Sequence, residues 1–369
     1  MAKAEGDWSD FEHVLARVSL NGMDLQFASP ALQGDVAVVL NAVRSCGDAL
    51  QFASAELRSH PAVVTMAVTE DSFALRFASE TMQADRSVGL AAVNENGCSL
   101  LFLSPELRRD RALVREAVRE DGFALCHAHP LLKSDGELVR TACEKNGMAL
   151  QFAAVELTAD ETVVLSAVRQ NGFSIAFASE ALRDTRSVVT AAVTQNYMVL
   201  NRVGPRWRAD EHVVRAAVCC DGRALLFADG ALRADRTIVL IAVHQHGMAL
   251  RGASLELRAD KEVVIAAIVS NPLAYEFSLV VDASFRKVAQ LWVRSRLVGK
   301  PFPLDVLMAH EAQRQAAMMH VLALLTPYVP PKQGAEMEEF AASLAAPSSV
   351  LGKRDLAQLE AVLEPPADD

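Results

Sequence analysis

The chain has 369 residues, 51% of them hydrophobic, and a formal net charge of −10. That supplies a large core, argues against disorder, and disfavours a generic phosphate-backbone partner. The longest uncharged stretch, Gln315 to Pro331, contains His320 and ends in prolines. It falls short of the ~20 apolar residues a membrane-spanning helix needs.

Met1 to Asp7 lacks the apolar core of a secretory signal, so an intracellular, cytoplasmic protein is expected. Cys46, Cys98, Cys126, Cys143, Cys219 and Cys220 include no C-x-x-C pair and fit reduced thiols.

From Asp10 one pattern returns every 25 residues, without insertion, in eleven copies ending at Ser284. Each copy is counted here from its aspartate as slot one. Aspartate holds that slot except at His60 and Thr185, and valine holds slot five except at Gly89. Alanine holds slot eight except at Arg17, and glycine holds slot thirteen except at Ser72, Tyr197 and Pro272. Leucine dominates slot sixteen and phenylalanine slot eighteen.

Aspartate in slot one is a helix N-cap, accepting from otherwise unpaired amides. Apolar slots four, five, eight and nine, as in Val163, Val164, Ala167 and Val168, mark one face of a helix of about ten residues. The Asn-Gly step should end that helix, the glycine turning left-handed and the apolar residue after it folding back. The second half, Ala-Leu-x-Phe-Ala-Ser as at Ala49 to Ser54, predicts a short helix with Leu and Phe facing inward. Proline follows the serine slot at Pro30, Pro105, Pro130 and Pro205, which predicts one more short piece. Period-two alternation is nowhere sustained, so strands are not expected.

Such a unit cannot bury its own apolar face, but stacked units share a core. The predicted fold is therefore all-α: an α-solenoid on the order of 100 Å long with a concave face. The pattern Asp-Arg-x-Val-Val-x-x-Ala-Val-x-x-Asn-Gly-x-Ala-Leu-x-Phe-Ala-Ser resembles the repeat family known as domain of unknown function 4116. Asp160 to Ser179 carries it nearly whole, with Glu161, Ser174 and Ile175 as departures. The resemblance implies a helical repeat, and no reaction or ligand.

Residues 285–300 resemble a degenerate capping copy through Phe285, Val288, Trp292 and Val293. A helical extension is expected over 301–364, with a longer helix from Leu304 to about Leu325, and a disordered tail over 365–369.

No phosphate loop, nucleophile elbow or metalloprotease motif occurs, so no catalytic residue and no cofactor is assigned. Cys219, Cys220, Asp221, His244 and His246 form the one metal-like set, Cys219 and His244 sharing slot ten of adjacent copies and Asp221 and His246 slot twelve, but no standard ligand spacing supports a metal, and ordinary variation in polar slots is the simpler reading. His127 and His129, which replace Phe and Ser, read as partly buried, hydrogen-bonded histidines. The eighth copy departs most, with Tyr197 for Gly, Arg202 for Phe and Trp207 for Leu. These three are the candidate binding residues, since Arg and Trp are common anchors and the break should bend or loosen the array; drift, with Trp207 filling volume, is the bland account.

The expected function is a non-catalytic scaffold that binds a protein partner. One alternative is an accessory subunit docking through the helix from Leu304. The other is a repeat-type nucleic-acid reader, disfavoured by acidity and by the lack of a basic or aromatic column.

Overall fold

A computed structural model describes residues 7–298. All its regular elements are helical, with no strand among the described residues. The chain divides into two compact units, Met1–Val203 and Gly204–Asp369.

In the first unit, ten-residue α-helices begin at Phe11, Val36, Pro61, Arg86, Arg111, Gly136, Glu161 and Arg186. In the second they begin at Glu211, Arg236 and Lys261. Slot one is the cap, as expected: Asp160 accepts from the Thr162 amide at 2.8 Å and the Val163 amide at 3.2 Å. Val164, Ala167 and Val168 are fully buried and Val163 nearly so. Within each unit these helices stack in chain order, forming a helical solenoid.

The second half differs from expectation. It is a six-residue 3-10 helix, for example Gly147–Phe152. Three residues per turn align slots thirteen, sixteen and nineteen on one inward face; Gly47, Leu50 and Ala53 are all buried. Slots sixteen and eighteen are two apart and cannot share a helix face. Slot eighteen lies one turn after slot fifteen, where Ala49 and Ala149 are fully buried, but at the end of the 3-10 helix: Leu150 is fully buried, Phe152 only half-buried and Phe27 52% exposed.

The glycine expectation also fails. The residue after the first helix is extended, as at Asn21 with φ −146° and ψ 102°, and no described glycine lies in the left-handed region. Asn21 instead caps the 3-10 helix, accepting from the Met23 amide. Glycine is needed for close approach. A Cβ at Gly147 would lie 2.2 Å from the Ala167 carbonyl oxygen of the next copy, and the same clash recurs at 2.1 Å for Gly22 and 2.5 Å for Gly172. Glycine in slot thirteen and alanine in slot eight thus form one packing device. The next copy also caps this amide: the Gly147 N–H donates to Gln170 Oε1 at 2.6 Å and the Gly172 N–H to Gln195 Oε1 at 2.6 Å.

Short connector helices follow, such as Pro30–Gln33 and Leu57–Ser59. A backbone bond stitches each to the next copy, from slot twenty back to slot twenty-four. In the first unit this ladder runs from Ser29 N to Trp8 O (2.9 Å) through Ser179 N to Thr158 O (2.8 Å). In the second it runs from Asp229 N to Arg208 O (2.8 Å) through Leu279 N to Arg258 O (2.8 Å).

Departures from the pattern are compensated locally. Leu103 fills the volume left by Gly89, approaching its would-be Cβ at 3.1 Å. Arg17 and Asp24, both in alanine slots of the first copy, pair at 2.6 Å. The predicted capping copy is a helix, Ala283–Val298, with Phe285, Ala289, Leu291 and Trp292 buried. The extension predicted for 301–364, including the helix from Leu304, and the tail at 365–369 lie outside the described residues.

Candidate binding face

The geometry of the 3-10 helix decides what reaches the surface. Its inward line leaves slots fourteen and seventeen outside and slot eighteen at the margin. Phe73, Phe123, Met148, Phe173 and Met248 in slot fourteen are half-buried, and Met198 is 48% exposed. Slot fourteen of one copy meets slot eighteen of the next: Phe73 and Phe102 pack edge-to-face at 5.7 Å, and Phe123 and Phe152 at 5.8 Å. In the first unit aromatic and methionine side chains therefore form a half-wet stripe; in the second the same slots hold Phe227, Met248, Leu273 and Phe277, interrupted by Arg223 and Gly252. Of the twelve large apolar residues exposed among the described residues, only Phe11, Leu20 and Val36 lie on first helices. The second half-repeat and its connector are thus the apolar face.

A basic column borders the stripe at slot twenty-four: Arg58, Arg108, Lys133, Arg183, Arg208, Arg233 and Arg258. Lys133, Arg233 and Arg258 donate to carbonyls near the ends of the 3-10 helices. Arg258 Nε reaches Phe277 O at 2.8 Å and Lys133 Nζ reaches Cys126 O at 2.7 Å. Helix C-termini leave carbonyls unpaired and favour cations, which gives the column a structural reason. The sequence reading of no aromatic or basic column is corrected on both counts. One open cavity of about 580 Å³ lies on this face between the third and fourth copies, lined by Arg76, Glu80, Gln83, Leu101, Phe102 and Arg108 among others.

The three candidate residues of the eighth copy part company. Arg202 is exposed, with its guanidinium 4.9 Å from the centre of the Phe173 ring. That is the relation Phe102 has to Phe73, so a cation–π contact replaces an aromatic pair. Trp207 is only 2% exposed; it fills the leucine slot and presents no edge to a partner, while Arg206 lies 4.5 Å over its ring. Tyr197 is half-buried. The division between the two units falls within this copy, after Val203.

Cys219, Cys220 and His244 are exposed, and His246 is half-buried. Asp221 is bound by Arg223 at 2.6 Å, which holds its carboxyl below the ordinary value. No group of three or more His, Cys, Asp or Glu side chains placed to hold a metal occurs among the described residues. His129 Nδ1 accepts from the Leu131 amide and caps the connector, while burial lowers the His127 pKa. Burial pushes the Cys143 thiol up to about 12; burial and a hydrogen bond to Asp121 do the same to Cys98. Thiols so raised carry little thiolate at neutral pH and make poor nucleophiles.

These features define an all-α tandem-repeat protein whose copies are held by backbone-close packing. The chain belongs to the family described as Domain of unknown function (DUF4116), whose model matches residues 10–58, 63–108, 110–158, 160–208, 210–258 and 235–278. No curated protein and no solved structure matches it.

Proposed function

We propose that the protein is a non-catalytic helical-repeat scaffold that holds a protein partner along the face of the second half-repeat. The half-wet stripe of slots fourteen and eighteen carries this reading. It offers apolar anchors at a regular interval, and desolvating such anchors is what drives protein association. Methionines in it suit adaptable contacts. The outer surface of the first helices offers few exposed apolar side chains. Arg202 extends the same face.

The test is site-specific photo-crosslinking in source-cell extract. A crosslinker at Leu101 or Gln151, both exposed in slot seventeen, should capture one and the same protein. A crosslinker at Thr65 or Thr69, exposed on a first helix, should not. Equal capture from both faces would refute the assignment.

A further inference from the structure

The second unit carries a charge pattern hidden in the whole-chain balance. Between Gly204 and Arg258, slots fourteen to twenty-four hold Arg206, Arg208, Arg233, Arg251 and Arg258, besides Arg223, which is paired with Asp221, against only Asp229 and Glu256. The remaining slots of the same span reverse the sign, with Asp210, Glu211, Asp221 and Asp235 against Arg215 and Arg236. An acidic chain thus concentrates cations on the face that also carries its exposed apolar side chains.

The arginines are interleaved with the stripe. Arg258 Nε donates to Phe277 O at 2.8 Å and Arg233 Nε donates to Gly252 O, so each guanidinium lies against the 3-10 helix of the following copy. Those bonds use Nε alone. Arg208 Nε is buried without a hydrogen-bond partner, and Arg251 is exposed. Around them Leu255 is 67% exposed and Leu273 47%, with Phe227 and Met248 half-buried.

We propose that this face of the second unit receives an acidic amphipathic segment of a partner protein, its apolar side chains on the stripe and its carboxylates on the flanking arginines. The proposal rests on the scaffold reading and names the chemistry of the partner. Guanidinium forks match carboxylates bidentately, and complementary charge sets orientation and partner choice. A single-stranded nucleic acid is the weaker fit. Base stacking needs aromatic platforms, and the exposed anchors here include aliphatic Leu255 and Leu273.

The experiment measures binding of the full chain to three labelled synthetic peptides that repeat Glu-Leu-Glu-Phe, Gln-Leu-Gln-Phe or Lys-Leu-Lys-Phe, and to labelled polyuridylate. The glutamate peptide should bind about tenfold more tightly than the glutamine one at low salt, with the gap closing as salt rises. Arg251→Glu should weaken it about tenfold, and Leu255→Ser should weaken the glutamate and glutamine peptides alike. Arg215→Glu, on an exposed first-helix position, should change nothing. Unchanged far-UV spectra would show that the variants fold. Equal affinity for the glutamate and glutamine peptides would overturn the acidic partner and leave the scaffold reading standing. Preference for the lysine peptide or polyuridylate, or no peptide binding, would overturn it too. The scaffold reading has its own test in the first unit, at Leu101 and Gln151.

Discussion

Replacing Gly147 by alanine probes the contact on which the stack depends. The new Cβ would lie 2.2 Å from the Ala167 carbonyl oxygen and 3.1 Å from the Ala167 carbonyl carbon and the Asn171 amide nitrogen. Ordinary contact begins near 3.4 Å, so neighbouring copies must separate by about 1 Å there. All three obstructing atoms are backbone, so no side-chain rotation relieves the clash. Overpacking of this kind costs about 1–3 kcal/mol. Alanine also narrows the unfolded ensemble, which returns about 0.4–1 kcal/mol. The clash wins, for a net loss of about 1–2 kcal/mol.

Gly230→Ala is the internal control. Gly230 opens a connector helix, and nothing lies within 4 Å of its would-be Cβ. It should be neutral or gain up to about 1 kcal/mol. Urea unfolding followed by far-UV ellipticity reads the difference as a midpoint shift at constant slope. Amide exchange in the sixth and seventh copies localises it, since repeat arrays can open piecewise. Equal midpoints for Gly147→Ala and Gly230→Ala would refute the close-approach account. Ser72 already carries a Cβ in the same slot and is buried, so Ser72→Gly should stabilise the protein, by about 1 kcal/mol.

Leu150→Ala should cost about 2–5 kcal/mol in urea unfolding, and Phe152→Ala distinctly less despite its larger side chain, because Leu150 is fully buried and Phe152 half-wet; the reverse order would restore the inward-facing phenylalanine. Trp207→Ala should cost about 3–5 kcal/mol, whereas Arg202→Phe should stay within about 0.5 kcal/mol, since an aromatic pair then replaces a cation–π contact of similar strength. The Asp160 carboxyl is held below its ordinary value of 3.8 by the Thr162 hydroxyl and then the Val163 amide, and that of Asp135 chiefly by Arg111. A depressed native pKa gives stability that is present above 3.8 and lost as pH falls through the native value, so Asp160→Asn should flatten the acid limb of an unfolding-versus-pH curve; an unchanged limb would remove this cap from the acid response.

The period, the first helix and its cap were legible in the sequence because a 3.6-residue pattern and an N-cap aspartate are local signals. The glycine column was visible too, but its cause was not. A left-handed cap and a backbone-close contact leave the same residue in the same place, and only the position of the Ala167 carbonyl separates them. The phenylalanine column misleads because recurrence of a residue does not by itself mean burial. The correcting signal was present: Gly47, Leu50 and Ala53 recur at threes, which places Phe52 on another face. The basic column at slot twenty-four was equally readable. Acidic caps elsewhere in each copy mask it in any net-charge argument. Trp207 could not be placed from sequence, because tryptophan fills a core slot or anchors a partner with equal ease.

Phenylalanine is nearly constant at a slot that is half-exposed, and the contacts between copies explain how both can hold. Phe102 leans on Phe73, and Phe152 on Phe123, so the inner part of each ring seals a seam between neighbours. Arg202 keeps the seam in a different chemistry by covering Phe173. The outer part of each ring is left in water, where a further ~100 Å² of apolar area per copy would be worth at most about 2.5 kcal/mol if a partner covered it. Association costs and side-chain ordering consume much of that, so no single copy can hold a partner alone. On the proposed scaffold reading, binding would be spread over several copies and would depend on register. A partner must present anchors at the spacing of the seams, and the seams are set by the approach of each slot-thirteen glycine to the alanine of the next copy. The packing device that builds the stack would therefore also set the spacing that any partner on this face must match.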